Sequence, residues 1–373
     1  MAMSLRERIL AVYRGDTPDI VPYMLDLSHW FYQKHRIPWD LSRTQDAPER
    51  ELVDCHRRFG AGFYLPQLAP FFTVAYAGDV RAAAEKSPDG REITWEYETP
   101  LGTIRRTRRW EEQTYAWGMS AWGVKSEQDL RVLGHALAAR KYRPNWGLYR
   151  AWLECVGDTG VVYLGAGYSA MGYLLNYWLG IEGTIYAMAD WPDTMHEVVD
   201  QINANGLECI DLLAQSPAEI IIMGDNFSSD IQPPRLFDEW SRPFYTEALA
   251  RLHAAGKCVA VHIDGKLRGA LAMFRDLGAD CADAVTPVPM GDLEPEACRN
   301  EAGPDMILSG GVSPDLWLPD VDIEAFKAAV LRWLALKEHS PRLIANAGDQ
   351  VPPGADEDRI RLMGDLVEEH GRY

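Results

Sequence analysis

Residues 258–285 read CVAVHIDGKLRGALAMFRDLGADCADAV. The run Cys258–Ile263 alternates Val and Ile with other apolar residues and ends at Asp264-Gly265, which is the pattern of a buried strand. Leu267, Leu271 and Phe274 then recur at helical spacing, Gly278 stops the helix, and residues 282–285 form a second apolar run. A strand, a helix and another strand in so short a span make a parallel unit, because the helix returns the chain to the starting end of the sheet.

The same rhythm extends in both directions. Short apolar runs occur at residues 20–25, 63–65, 160–164, 219–223, 306–308 and 342–345, which with the two above make eight. Helical spacing lies between most of them, as in Leu236, Phe237 and Trp240, in Ile323, Phe326, Val330 and Trp333, and in Ile360, Met363, Leu366 and Val367. Eight alternations predict a closed (β/α)8 TIM barrel, with the whole chain, 1–373, as a single domain. Ser4-x-x-Glu7 is a capping box before Leu5, Ile9, Val12 and Tyr13, so extra N-terminal helices are expected. Residues 91–110 break the rhythm: Ile93, Trp95 and Tyr97 alternate, Pro100-Leu101-Gly102 turns, and Ile104 begins a return strand. This predicts an antiparallel β-hairpin inserted between barrel strands two and three. Residues 121–145 are expected to be helix and loop.

Composition narrows the function classes. With 37 Lys and Arg against 55 Asp and Glu, the 373-residue chain carries −18, which repels polyphosphate and argues against nucleic acid as a partner. One basic run, Arg105-Arg106-Thr107-Arg108-Arg109, is read as a solvated hairpin edge, with an anion-contacting patch as the alternative. Arg6, Glu7 and Arg8 precede any apolar run and no eighteen consecutive apolar residues occur, so neither a signal peptide nor a membrane partner is expected, and the protein is placed in the cytoplasm. The six cysteines form no C-x-x-C pair and are read as core thiols. No G-x-S-x-G, H-E-x-x-H or Walker motif is present.

In a barrel, chemistry sits at the carboxyl ends of strands, so the polar residues that end each apolar run are the candidates. Strand one ends at Asp26, Ser28 and His29, strand four at Asp225-Asn226, strand five at His262 and Asp264, strand six at Thr286, strand seven at Gly310-Gly311 and strand eight at Asp349. His262 and Asp264 are two residues apart on an extended segment and share a face, close enough to hold one cation, with Asp349 as a third ligand across the mouth. The competing reading is a hydrogen-bonded histidine and a helix-capping aspartate. Asp225, Asn226 and Asp26 are the catalytic candidates, able to hold a substrate hydroxyl or move a proton, although Asp-Asn also favours plain turns. Gly310-Gly311 is read as a tight turn. Tyr23, His29, Trp30, Tyr168 and Thr286 are the candidate substrate contacts, within an aromatic cluster suited to a flat organic ligand.

The order of several segments resembles the uroporphyrinogen decarboxylase superfamily, which includes corrinoid-dependent methyltransferases. These are the opening helix before Asp19-Ile20-Val21-Pro22, Pro233-Pro234-Arg235-Leu236-Phe237 running on to Pro243, Gly256-Lys257 before the His262 strand, Gly278-Ala279-Asp280, and Val351-Pro352-Pro353 leading to Arg359-Ile360. The decarboxylases carry an R-Q-A-G-R signature after strand one, where this chain has Asp26-Leu27-Ser28-His29-Trp30-Phe31, so the resemblance is closer to the methyltransferase branch. That branch holds zinc with H-x-C and a distant Cys; here His262 aligns with the His, Asp264 with the first Cys and Asp349 with the second. The resemblance implies transfer of a methyl group from an oxygen-linked, methoxyaromatic donor to a corrinoid (cobalamin), with zinc or another divalent metal at His262, Asp264 and Asp349. No D-x-H-x-x-G module is present, so the corrinoid is expected on a partner protein or as free cofactor. A homodimer is admitted but not specified. A decarboxylase or lyase acting on a small acid, and a ligand-binding barrel without chemistry, are the alternatives.

Overall fold

The computed structural model describes residues 2–37, 47–67 and 69–373. Helix Leu5–Arg14 begins with the expected capping box, the Ser4 hydroxyl accepting from the Glu7 N–H and the Glu7 carboxylate accepting from the Ser4 N–H, and ends at Gly15 at φ 89°. Its buried face of Ile9, Leu10, Val12 and Tyr13 packs with Met24, Tyr163, Ile220, Ile222, Ala260 and Ile307, so the helix plugs one end of the barrel. Burying each of these large side chains contributes about 1.5–3 kcal/mol, against about 1 kcal/mol for a cap. Packing therefore fixes the helix in place, and the cap sets where it starts.

The insertion is larger than a hairpin. Its strands are β1 (Phe72–Tyr76), β2 (Arg81–Lys86), β3 (Glu92–Thr99), β4 (Gly102–Glu111), β5 (Ala116–Ala121) and β6 (Arg140–Pro144). The expected hairpin is the β3–β4 pair at the centre of a four-stranded antiparallel sheet, β2-β3-β4-β5, while β1 pairs with β6. The outer strands carry weak strand signals: β2 is Arg-Ala-Ala-Ala-Glu-Lys, exposed throughout, and β5 contains Gly118. Helix Glu127–Ala138 lies where helix was expected, and β6 replaces part of the expected loop.

The barrel sheet is parallel and runs β7 (Leu164–Gly165), β8 (Ile220–Phe227), β9 (Cys258–Ile263), β10 (Cys281–Val285), β11 (Ile307–Val312) and β12 (Leu343–Ala347), each hydrogen-bonded to the next. The extended segments around residues 20–25 and 62–65 fill the gap between β12 and β7 through parallel bridges Tyr23–Ala345, Met24–Gly62 and Phe63–Gly160. The Met24 N–H donates to Ala345, Gly62 to Tyr23 and Val161 to Phe63, at 2.8–3.0 Å. Six regular strands and two bridged segments thus make the eightfold TIM-barrel ring. Gly160 permits one of these bridges, since a Cβ there would sit 2.0 Å from the Phe63 carbonyl oxygen.

Period-two alternation sorts the barrel residues. Met24, Ile220, Ile222, Ala260, Cys281 and Ile344 face the interior, whereas Tyr23, Leu25, Ile221, Met223, Val259, Val261 and Leu343 pack outward under the helices. Two bulges interrupt the ladders near the strand ends, between Ala282 and Val285 on β10 and between Met223 and Phe227 on β8, with Ala284 at φ 62° and Asn226 at φ 49°. Bulges of this kind re-aim side chains at barrel rims. Among the described residues no helix is long and apolar enough to cross a membrane.

Candidate functional site

Following the inward series to the ends of the strands leads from apolar to polar residues. Past Met24 comes Asp26, past Ile222 come Gly224 and Asn226, past Ala260 comes His262, and past Cys281 comes Asp283. Asp26, Gly224, Asn226, His262 and Asp264 line a cavity of about 570 Å³, together with Asp349, Gln350 and Gln67. Its walls are aromatic: Tyr64, Phe71, Phe72, Tyr163 and Tyr168. Phe72 is supplied by the insertion, which therefore builds part of the site. Among the described lining residues there is no lysine or arginine.

His262 is the only imidazole among the described lining residues, and carboxylates surround it. Its Nδ1 lies 3.1 Å from Asp283 Oδ2, and its Nε2 lies 4.0 Å from Asp349 Oδ1. Burial works against the imidazolium, but the hydrogen bond to Asp283 and the charges of Asp349, Asp283 and Asp264 outweigh it and hold the pKa at about 9. Asp349 is shifted up by burial, with His262 opposing and the neighbouring Asp264 and Asp26 charges adding to the rise. A separation of 4.0 Å is too long for a hydrogen bond, so Nε2–H remains a donor toward the cavity while Nδ1–H is committed to Asp283. Asp26 is also shifted up by burial, against the Ser28 amide at 2.8 Å, the Ser28 hydroxyl, Gln67 at 2.7 Å and Gln350 at 3.3 Å, all of which donate to it.

The remaining candidates separate by face. Asn226 and Tyr168 line the cavity. Asp225 does not: it is 2% exposed on the outer face of β8, where it accepts from the Ser169 amide at 2.7 Å, the Ser169 hydroxyl and the Tyr245 hydroxyl at 2.9 Å. Burial shifts it up, with those donors opposing. Tyr23 also faces outward and donates to the Ile360 carbonyl at 2.6 Å. Trp30 packs edge-on against Phe59 and donates to the Ala355 carbonyl, and His29 Nε2 lies 3.0 Å from the Tyr115 carbonyl. Thr286 donates to the Ala284 carbonyl and packs against the Gly348 turn. None of these four lines the cavity.

Asp283 is the residue that strand-end reading missed. It lies inside β10 and is 0% exposed, with Oδ1 lacking any hydrogen-bond partner. Its signal was present: a lone carboxylate in the apolar run Cys281-Ala282-Asp283-Ala284-Val285, on the inward face with Cys281.

The expected zinc site fits less well. Among the described residues no three His, Cys, Asp or Glu side chains form a group able to hold a metal, and His262 Nδ1 faces Asp283 at 3.1 Å. Its Nδ1 contact to Asp283 matches the outer partner of a metal-bound histidine, but the tetrahedral cage zinc prefers is not assembled by Asp264 and Asp349 as they stand. The cavity presents instead an imidazole flanked by carboxylates between aromatic walls.

A methyltransferase from Methanosarcina mazei superposes with a TM-score of 0.62 at 13% identity, covering 98% of this chain and 99% of that one, which agrees with the fold. A type I 3-dehydroquinate dehydratase from Clostridium difficile aligns at 12% identity over 52% of this chain and 79% of its own, with a TM-score of 0.27, too distant in shape to bear on it. No curated protein matches the sequence significantly. Residues 160–370, from the start of the third barrel segment to the last helix, match the model of uroporphyrinogen decarboxylase (URO-D), and the chain belongs to that family.

Proposed function

We propose that this protein is a methyltransferase that takes a methyl group from an oxygen-linked, aromatic donor and delivers it to a corrinoid brought as a second substrate, free or on a partner protein. One observation carries the reading: the His262 ring lies between buried Asp283, 3.1 Å from Nδ1, and Asp349, 4.0 Å from Nε2, with Nε2 toward an aromatic cavity that has no lysine or arginine among its described lining residues.

Cleaving a methyl ether requires a nucleophile at carbon and stabilisation of the departing oxygen. As the methyl group leaves to the acceptor, the electron pair of the broken C–O bond stays on oxygen. His262 Nε2 gives that oxygen its proton, so the product is the free hydroxyl compound. Asp283 keeps the ring oriented through Nδ1, and Asp349 tunes the charge beside Nε2. The aromatic walls pack the ring of the donor and exclude water, which would compete for the proton. Asn226 and Gln350 offer amide groups for orienting the donor. The M. mazei structure, itself a methyltransferase, is consistent with the reading.

The test is a single-turnover reaction with reduced cobalamin and a panel of methoxybenzenes, following methylcobalamin by absorbance and the phenol by chromatography. Both products should form in equal amounts, and His262→Gln should slow the reaction by about 10²–10⁴-fold, the range for loss of a general acid. Absence of both products across the panel would refute the proposal. Elemental analysis of the same preparations adds a decision: one zinc per chain, lost in His262→Ala, would replace the proton donor by a Lewis acid.

A further inference from the structure

The run Arg105-Arg106-Thr107-Arg108-Arg109 divides by strand alternation into two unlike faces. Arg105 pairs with Glu96, and Arg109 with Glu92 at 2.9 Å, on the exposed face of the sheet. Arg106 and Arg108 lie on the other face, and neither has a carboxylate partner among the described residues. Arg106 is 9% exposed, over Trp95 at 4.2 Å and Tyr177 at 4.9 Å, and its Nε and Nη1 are buried without a hydrogen bond. Arg108 sits over the same Tyr177 ring at 4.6 Å, with two long contacts, both 3.4 Å, from Nε to the Met119 sulfur and from Nη2 to the Asn176 carbonyl.

Two guanidinium groups sharing one ring repel each other, and cation–π attraction returns only part of what sealing an unpaired charge from water costs. An oxyanion bridging the two removes both penalties, since the guanidinium fork matches carboxylate and phosphate. Tyr177 meets Tyr168 edge-on at 4.8 Å, and Tyr168 lines the aromatic cavity. The geometry points to Arg106 and Arg108 as an oxyanion-binding pair at the edge of the cavity, taking a carboxylate or phosphate on the far end of the methyl donor. The placement of the donor rests on the function proposed above. Its charged end is drawn to the arginines and repelled by the acidic floor, which leaves the neutral methoxy end facing His262.

Isothermal titration calorimetry on the full chain tests this with 4-methoxybenzoate, with methoxybenzene, which lacks the carboxylate, and with inorganic phosphate. Arg106 is buried among rings, so the half-buried Arg108 carries the test, with circular dichroism to verify that the variants fold. The wild type should bind 4-methoxybenzoate at least about tenfold more tightly than methoxybenzene. Arg108→Gln should abolish that preference, and Arg105→Gln, on the ion-paired face, should keep it. Phosphate binding lost in Arg108→Gln and kept in Arg105→Gln supports the same pair with phosphate as its natural oxyanion. A wild type with neither the preference nor phosphate binding overturns the inference, as does a preference or phosphate binding that survives Arg108→Gln. Calorimetry reads binding without turnover, so failure of the methyl-transfer reading and failure of the arginine pair are separate results.

Discussion

Replacing Asp225 by alanine separates a structural carboxylate from a chemical one. The side chain faces away from the cavity and accepts from the Ser169 amide, the Ser169 hydroxyl and the Tyr245 hydroxyl. Tyr245 is fully buried and Ser169 nearly so, so Asp225→Ala leaves the amide and the phenol without partners. An orphaned buried polar group costs about 1–3 kcal/mol, which for the two gives about 4 kcal/mol, lessened because the carboxylate no longer has to be desolvated. Ser169 also caps helix Ala170–Tyr173, so the loss reaches the segment carrying Tyr168. Urea unfolding followed by tryptophan fluorescence should therefore show a clear fall in midpoint for Asp225→Ala and a smaller one for Asp225→Asn, which keeps an acceptor. Asn226→Ala, one residue along and facing the cavity, should lose only about 1 kcal/mol, the cost of alanine at φ 49°, while weakening donor binding. An Asp225→Ala protein as stable as wild type but without turnover would place that carboxylate in the reaction and overturn the assignment of faces.

Three further outcomes follow from the same geometry. His56 is buried against Phe63, and burial depresses its pKa to about 4, against hydrogen bonds with the backbone of Ala61 and Gly62 that oppose the fall. The unfolded chain binds this proton near pH 6.5, so its contribution is whole above that pH and is lost as pH falls toward 4, amounting to about 3 kcal/mol; His56→Gln should flatten the stability profile in that window. Asp283→Asn should lower the His262 pKa from about 9, because burial then acts with less opposition while the Asp349 and Asp264 charges remain, and an NMR titration of the imidazole signal absent in His262→Gln would read it. Gly310→Ala places a Cβ 2.2 Å from the Val285 carbonyl oxygen beside the β10 bulge and should destabilise by about 3 kcal/mol in urea unfolding, with the clash borne by backbone that has nowhere to move.

The fold was legible because barrel strands are apolar on both faces and stand out as continuous runs, and the run at residues 258–285 already contains a complete strand–helix–strand unit. The insertion was legible only at its centre, where Ile93, Trp95 and Tyr97 alternate; alanines and a glycine in β2 and β5 give no such contrast. His262, Asp264, Asp349 and Asn226, read from strand ends, line the cavity, but being at a strand end does not settle which side of the ring a residue faces. Tyr23 and Asp225 occupy outward positions of the period-two series, in register with Leu25 and Met223, and parity counted from Met24 and Ile222 would have excluded both. The same count applied to β10 would have found Asp283, two residues beyond Cys281. Contacts made to or by turns, such as that of His29 with the Tyr115 carbonyl and those of Thr286, have no comparable periodicity to read.

Electrostatics favours the proposed methyl transfer over a decarboxylase acting on a small acid. Asp26, Asp264 and Asp349 line the cavity and Asp283 lies behind His262, the single imidazole among the described lining residues. A substrate carboxylate about 4 Å from one of these charges is repelled by about 4 kcal/mol at an effective dielectric near 20, close to a thousandfold in affinity. A decarboxylase must hold its carboxylate at the reacting centre, and the described wall offers no arginine or lysine to offset that repulsion. A methyl ether brings no charge to the floor and needs only one proton there as its oxygen departs, which His262, raised to about 9 by its neighbours, is protonated to give at neutral pH. The carboxylates that keep a substrate carboxylate away from the cavity floor are thus the ones that favour a proton on His262, and removing Asp283 should weaken both effects together.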